Sequence, residues 1–126
     1  MKINQPKIFL VDDQEIVNFI NKKLLSKIGH VDNVQQFENP VEAYENVIDQ
    51  SPSLVLLDLN MPVLNGWEFL EKMANETIKT KVIIVTSSTS ELDKNKAKKY
   101  INVIDYYTKP LNDDTLKELS ELLHTI

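Results

Sequence analysis

The sequence predicts a doubly wound α/β domain, a parallel sheet of five strands with five helices on its faces. Three observations lead there. Short β-type runs alternate with helix-length segments along the chain, with no linker, low-complexity tract or further internal repeat. The runs Ile8 to Val11, Leu54 to Leu57 and Val82 to Val85 are apolar without alternation, as strands covered on both faces are. Four runs end in chemically capable residues: Asp12-Asp13, Asp58, Thr86 and Lys109.

Strand 1, Ile8 to Val11, is central. Helix 1 follows, with Ile16, Ile20, Leu24 and Ile28 read as its buried stripe and Gly29 as its stop. Val31 to Phe37 is interrupted by Asp32, Asn33, Gln35 and Gln36, which places strand 2 at an edge. Asn39-Pro40 with Glu42 reads as an N-cap, a first-turn proline and a first-turn acid, so helix 2 starts there. Strand 3 is Leu54 to Leu57. Helix 3 runs from about Gly66 through Trp67, Leu70 and Met73, and strand 4 is Val82 to Val85. Helix 4 starts at Ser90 with Asp93 in its first turn and has a thin apolar face. Strand 5 ends in Tyr106-Tyr107-Thr108. Asn112 caps helix 5, with Leu111 and Leu116 placed as a hydrophobic staple and Leu119, Leu122 and Leu123 continuing inward.

A chain of 126 residues is the size of one domain, able to bury roughly two-thirds of its unfolded surface. The net charge of -5 argues against direct binding to nucleic acid, which needs a basic face. The absence of cysteine excludes disulfides and thiolate metal sites and suits a reducing compartment. Met1 to Lys7 is polar and the following apolar run is too short for a signal segment or a membrane span, so a cytoplasmic protein is expected, with no membrane partner.

In an open parallel sheet the C-terminal strand ends share one rim, so Asp12, Asp13, Asp58, Thr86 and Lys109 are expected to converge on a crevice. Crowded carboxylates repel unless a cation neutralises them. Magnesium suits such a site, because it accepts one or two carboxylates together with water and phosphate oxygens. Asp58 can then act as a nucleophile on phosphorus and form an aspartyl phosphate. Lys109 supplies a compact positive charge for one phosphoryl oxygen, and the Thr86 hydroxyl a hydrogen bond for another.

These residues resemble the receiver domain of two-component response regulators. The matching motifs are Asp12-Asp13, the segment from Asp58-Leu59-Asn60-Met61-Pro62 to Gly66, Thr86-Ser87 and Lys109-Pro110, in order and each after a strand. The resemblance covers essentially the whole chain and implies a flavodoxin-like sheet of order 2-1-3-4-5. It implies Asp58 as phosphoacceptor and a magnesium site of Asp13, Asp58 and the Asn60 backbone carbonyl, with Asp12 binding directly or through water. Lys109 would pair with the phosphoryl group, and Thr86 and Tyr106 would form the switch. The partners implied are a histidine kinase or histidine phosphotransfer protein upstream, and a protein target on the surface of helix 4, strand 5 and helix 5. The expected protein is a single receiver domain over 1–126 without an output domain, catalysing only its own phosphorylation and dephosphorylation.

Two pairs of residues depart from or vary within that pattern. Asn102-Val103 stands where the family often has Gly-Ala, and asparagine there is read as tolerating a left-handed helix end. Asn60 and Ser88 occupy positions that tune phosphoryl lifetime in receiver domains. Asn60 also weighs against the alternative of a magnesium phosphatase of the haloacid dehalogenase type, which expects a second acid at that position. A flavodoxin-like cofactor binder is the third class, and no glycine-rich loop supports it, since the glycines are Gly29 and Gly66. Lys94, Lys96, Lys98 and Lys99 read as a solvated helix face or a docking stretch for an acidic partner. Trp67 is expected to pack at the helix 3 interface or its edge, and His30 and His124 have no matched ligand set.

Overall fold

The computed structural model describes residues 5–126; the first part of the polar start, Met1 to Asn4, lies outside the described residues. The elements follow in the order β1 (Ile8–Val11), α1 (Glu15–Lys27), β2 (Val34–Phe37), α2 (Pro40–Gln50), β3 (Leu54–Leu57), α3 (Gly66–Asn75), β4 (Lys81–Thr86), α4 (Glu91–Ala97), β5 (Val103–Thr108) and α5 (Asp113–Leu123). The strands form one parallel sheet of order β2-β1-β3-β4-β5. No helix among the described residues is long and apolar enough to cross a membrane.

Successive side chains on a strand point to opposite faces, and here both faces are covered. Phe9, Val11, Val55, Leu57, Val82 and Ile84 pack with Ala43, Tyr44 and Val47 of α2, Phe69, Leu70 and Met73 of α3 and Ala97 of α4. Ile8, Leu10, Leu54, Leu56, Ile83 and Val85 pack with Leu25 of α1 and Leu119 and Leu123 of α5. This two-sided burial is why the central strands show no polar alternation.

The helix ends follow their sequence signals. Asn39 accepts from the amides of Val41 and Glu42, Asn65 and Glu68 form a reciprocal capping box, and Asn112 pairs likewise with Thr115. Leu111 and Leu116, on either side of the Asn112 cap, are both buried. Gly29 takes φ +95°, the left-handed conformation that ends α1.

Strand 2 is an edge strand but begins at Val34 rather than Val31. The Asn33 amide donates to the Pro6 carbonyl at 2.7 Å and meets His30 Nδ1 at 2.8 Å, so a side-chain-organised turn occupies 31–33 and pairing starts after it.

The stripe expected on α1 is corrected. Ile16 and Ile20 are 62% and 49% exposed, whereas Asn18, Asn21 and Leu25 are buried. At 3.6 residues per turn a strict four-residue repeat drifts, so Ile16 and Ile28 lie about 120° apart around the helix. Only its second half, Leu24 and Ile28, reaches the core.

Asn102 is corrected too. Among the described residues the left-handed non-glycine positions are Ser51, Val63 and Thr77. Asn102 is instead buried, its amide donating to the carbonyls of Ile78 at 2.6 Å and Thr80 at 2.9 Å, which ties the start of β5 to the entry of β4.

Candidate functional site

Strand register brings the predicted residues together. Val11 of β1 faces Leu57 of β3, and the Asp58 amide donates to the Val11 carbonyl at 3.0 Å. The two strands therefore release their acids side by side. Asp12, Asp13 and Asp58 each offer a carboxylate oxygen, all within 4.8 Å of one another. Asp12 and Asp58 are buried and Asp13 is exposed. On the other side of β3, the Lys109 amide donates to the Thr86 carbonyl at 2.7 Å, which fixes the lysine beside the end of β4. Its ammonium reaches back to Asp12 Oδ2 at 2.5 Å and Asp58 Oδ1 at 3.5 Å.

Burial pushes the Asp58 carboxyl above the usual carboxylate range, and the neighbouring Asp12 charge pushes it the same way. Lys109 and a hydrogen bond from the Asn60 backbone N–H oppose the rise. A buried, charge-crowded carboxylate with one cationic neighbour has the potential of a cation site. Hard oxygen donors on two strand ends, one of them exposed to solvent, fit magnesium with part of its shell left to water.

The loop after β3 is held tightly beneath Asp58. Leu59 and Met61 are buried, and the Gly66 amide donates to the Leu59 carbonyl at 2.9 Å. A Cβ on Gly66 would stand 2.6 Å from the Asp58 carbonyl oxygen and 2.7 Å from Leu59 Cα, so only glycine lets α3 start this close to Asp58. Asn60 itself is exposed.

Thr86 is fully buried, and its Oγ accepts from the Ser88 amide at 3.3 Å. Tyr106 is half-buried against the core on the α2, α3 and α4 side, with its hydroxyl donating to the Ser88 carbonyl at 3.0 Å. Both predicted switch residues thus meet at Ser88. The lysine stretch on α4 is mixed in character. Lys94 lies 3.8 Å from Glu91, while Lys96 sits 4.5 Å over the Trp67 ring, which stacks on Tyr100.

The sequence matches the response regulator receiver domain over residues 8–121. The chain belongs to that family. Sporulation initiation phosphotransferase F of Bacillus subtilis is 30% identical over 112 residues, 89% of this chain and 88% of the relative. Protein PilH of Pseudomonas aeruginosa is 34% identical, over 87% of this chain and 90% of its own length. A two component response regulator from Cytophaga hutchinsonii superposes with a TM-score of 0.84 at 26% identity, covering 98% of this chain and 100% of that one. The receiver domain is a signalling module of two-component and phosphorelay systems, and its flavodoxin-like sheet order is the one predicted.

Asn18 was not singled out by sequence reasoning. Its amide lies under the rim of this receiver domain and donates to the Asp12 and Phe37 carbonyls at 2.9 and 3.0 Å and to Glu38 at 2.8 Å. The signal was present as the 18, 21, 25 spacing, masked because two of the three inward residues are polar. Asp93 was read only as a first-turn acid, yet its carboxylate accepts the Ser88 hydroxyl at 2.6 Å.

Proposed function

We propose that this receiver domain is a phosphorylation-controlled switch that takes a phosphoryl group on Asp58 from a histidine kinase or histidine phosphotransfer protein. The observation that carries the reading is the convergence of Asp12, Asp13 and Asp58 within 4.8 Å, with Lys109 spanning Asp12 and Asp58.

A carboxylate oxygen of Asp58 attacks phosphorus, the bond from phosphorus to the donor histidine nitrogen breaks, and an aspartyl phosphate results. Asp12, Asp13, Asp58 and the Asn60 carbonyl would hold Mg2+, which when bound screens the attacking carboxylate from the anionic donor. Lys109 exchanges its carboxylate partners for a phosphoryl oxygen, and Thr86 donates its hydroxyl to another. Attack of water on the same phosphorus releases phosphate and restores the carboxylate, which makes the switch self-resetting.

Thr86 moving toward the phosphoryl group changes what its Oγ offers the Ser88 amide, and Tyr106 is bonded to the same residue. The signal then leaves through α4, β5 and α5. A groove of about 350 Å³ between α4 and β5, lined by Glu91, Lys94, Lys98, Ile104 and Tyr106 among others, supports that surface as the docking site of a protein target.

The test is the intact mass after incubation with acetyl phosphate and Mg2+, alongside Asp58→Asn and a chelator control. A gain of one phosphoryl group that needs both Asp58 and the metal is expected. Labelling of Asp58→Asn would overturn the assignment.

A further inference from the structure

The first turn of α4 is built differently from those of α3 and α5. In α3 the residue at the third helical position, Glu68, reaches back to the Asn65 backbone amide at 3.0 Å while Asn65 accepts from the Glu68 amide at 3.0 Å. In α4 that third position is Asp93, one methylene shorter. The Ser88 hydroxyl fills the gap, accepting from the Ser90 amide at 3.3 Å and donating to Asp93 Oδ2 at 2.6 Å. Ser90 Oγ completes the ring by accepting from the Asp93 amide at 3.4 Å.

Ser88 therefore belongs to two structures at once. Its side chain is part of the α4 cap, while its backbone accepts the Tyr106 hydroxyl and donates to Thr86 Oγ. Helix α4 has seven residues and buries only Ala97, so it has little packing of its own and depends on how its first turn is held. We infer that Asp93 is a positioning residue of the switch: by clasping the Ser88 hydroxyl it ties the start of α4 to Thr86 and Tyr106, so that order in α4 follows the state of the phosphorylation site. The inference rests on the receiver reading above for its phosphorylated half only.

The clasp is tested first in the unphosphorylated protein, by hydrogen exchange of the α4 amides and by the fluorine NMR signal of 3-fluorotyrosine at Tyr106, assigned with Tyr106→Phe. Asp93→Ala and Ser88→Ala should each move the Tyr106 signal and speed exchange in the first α4 turn at least fivefold. Asp93→Asn, which keeps an acceptor oxygen, should stay within twofold of the parent, and the double variant should match either single one. Ser88→Ala retains the acid at the helix start, so agreement between the two separates the clasp from a plain charge effect. After acetyl phosphate and Mg2+, Asp93→Ala should be labelled at Asp58 as the parent is, yet lose the labelling-dependent change in α4 exchange.

Three results would overturn the inference: a Tyr106 signal unmoved by Asp93→Ala, additive effects of the two substitutions, or an intact α4 response in labelled Asp93→Ala. Failure of the parent protein to take up phosphate would instead sink the proposed phosphorylation of Asp58, and the unphosphorylated comparison would still decide the clasp.

Discussion

The Asn18 side-chain amide donates to the backbone carbonyl of Asp12 at 2.9 Å, beneath the acidic rim. Helix α1 thus holds the end of β1 by a polar contact inside the fold, where a buried carbonyl that loses its donor is costly.

Asn18→Leu keeps a side chain of similar size but leaves the Asp12 carbonyl and Glu38 without that donor. The expected loss is about 1–3 kcal/mol of unfolding free energy, read from urea denaturation. Labelling by acetyl phosphate should also slow, since Asp12 loses a restraint. Unchanged stability would show that the contact has no net weight.

The fate of α1 marks where the sequence was legible. Strand identity and the rim residues were readable because uninterrupted apolar runs and polar strand ends are local signals, and β1, β3 and β4 lie where those runs are, whereas the full sheet order came with the receiver resemblance. The inward face of α1 was not, because Asn18 and Asn21 carry it and apolar spacing pointed to Ile16 and Ile20. Asn102 and Asp93 were misread or undervalued for a related reason. Their partners, Ile78, Thr80 and Ser88, are set by how loops approach one another, and a residue's own propensity does not encode that.

The elevated Asp58 carboxyl makes a prediction about pH. The folded state holds that proton more tightly than the unfolded chain, so this group costs stability as pH rises from the ordinary carboxylate range through its folded value. Asp58→Asn removes the titration while Asp12 remains to pair with Lys109. At pH 7 the variant should be more stable, by about 0.5–2 kcal/mol, in urea denaturation without divalent ions. The advantage should shrink on acidification. A variant less stable than its parent at pH 7 would mean that the Lys109 contact outweighs burial.

Magnesium should raise the melting temperature. A ligand that binds only the folded state at one hundred times its Kd adds about 2.7 kcal/mol. Asp13 is exposed, and the Lys109 ion pairs are to Asp12 and Asp58. Asp13→Asn should therefore weaken the ion while leaving the Lys109 contacts in place. Thermal melts across a Mg2+ titration should give a curve displaced at least tenfold for that variant. Coincident curves would place the ion elsewhere.

The two glycines should respond to alanine in different ways, because they are required for different reasons. A Cβ at Gly29 meets nothing within 4 Å, and only its φ of +95° resists substitution. Gly29→Ala should cost about 1 kcal/mol and leave Asp58 labelling unchanged. A Cβ at Gly66 would press on the backbone of Asp58 and Leu59 at 2.6 and 2.7 Å, so the start of α3 or the loop after β3 must move. Gly66→Ala should cost about 1–3 kcal/mol and slow labelling by acetyl phosphate severalfold. Paired denaturation and labelling experiments separate the cases, and a Gly66→Ala variant labelled at the parental rate would show that the loop absorbs the methyl without moving Asp58.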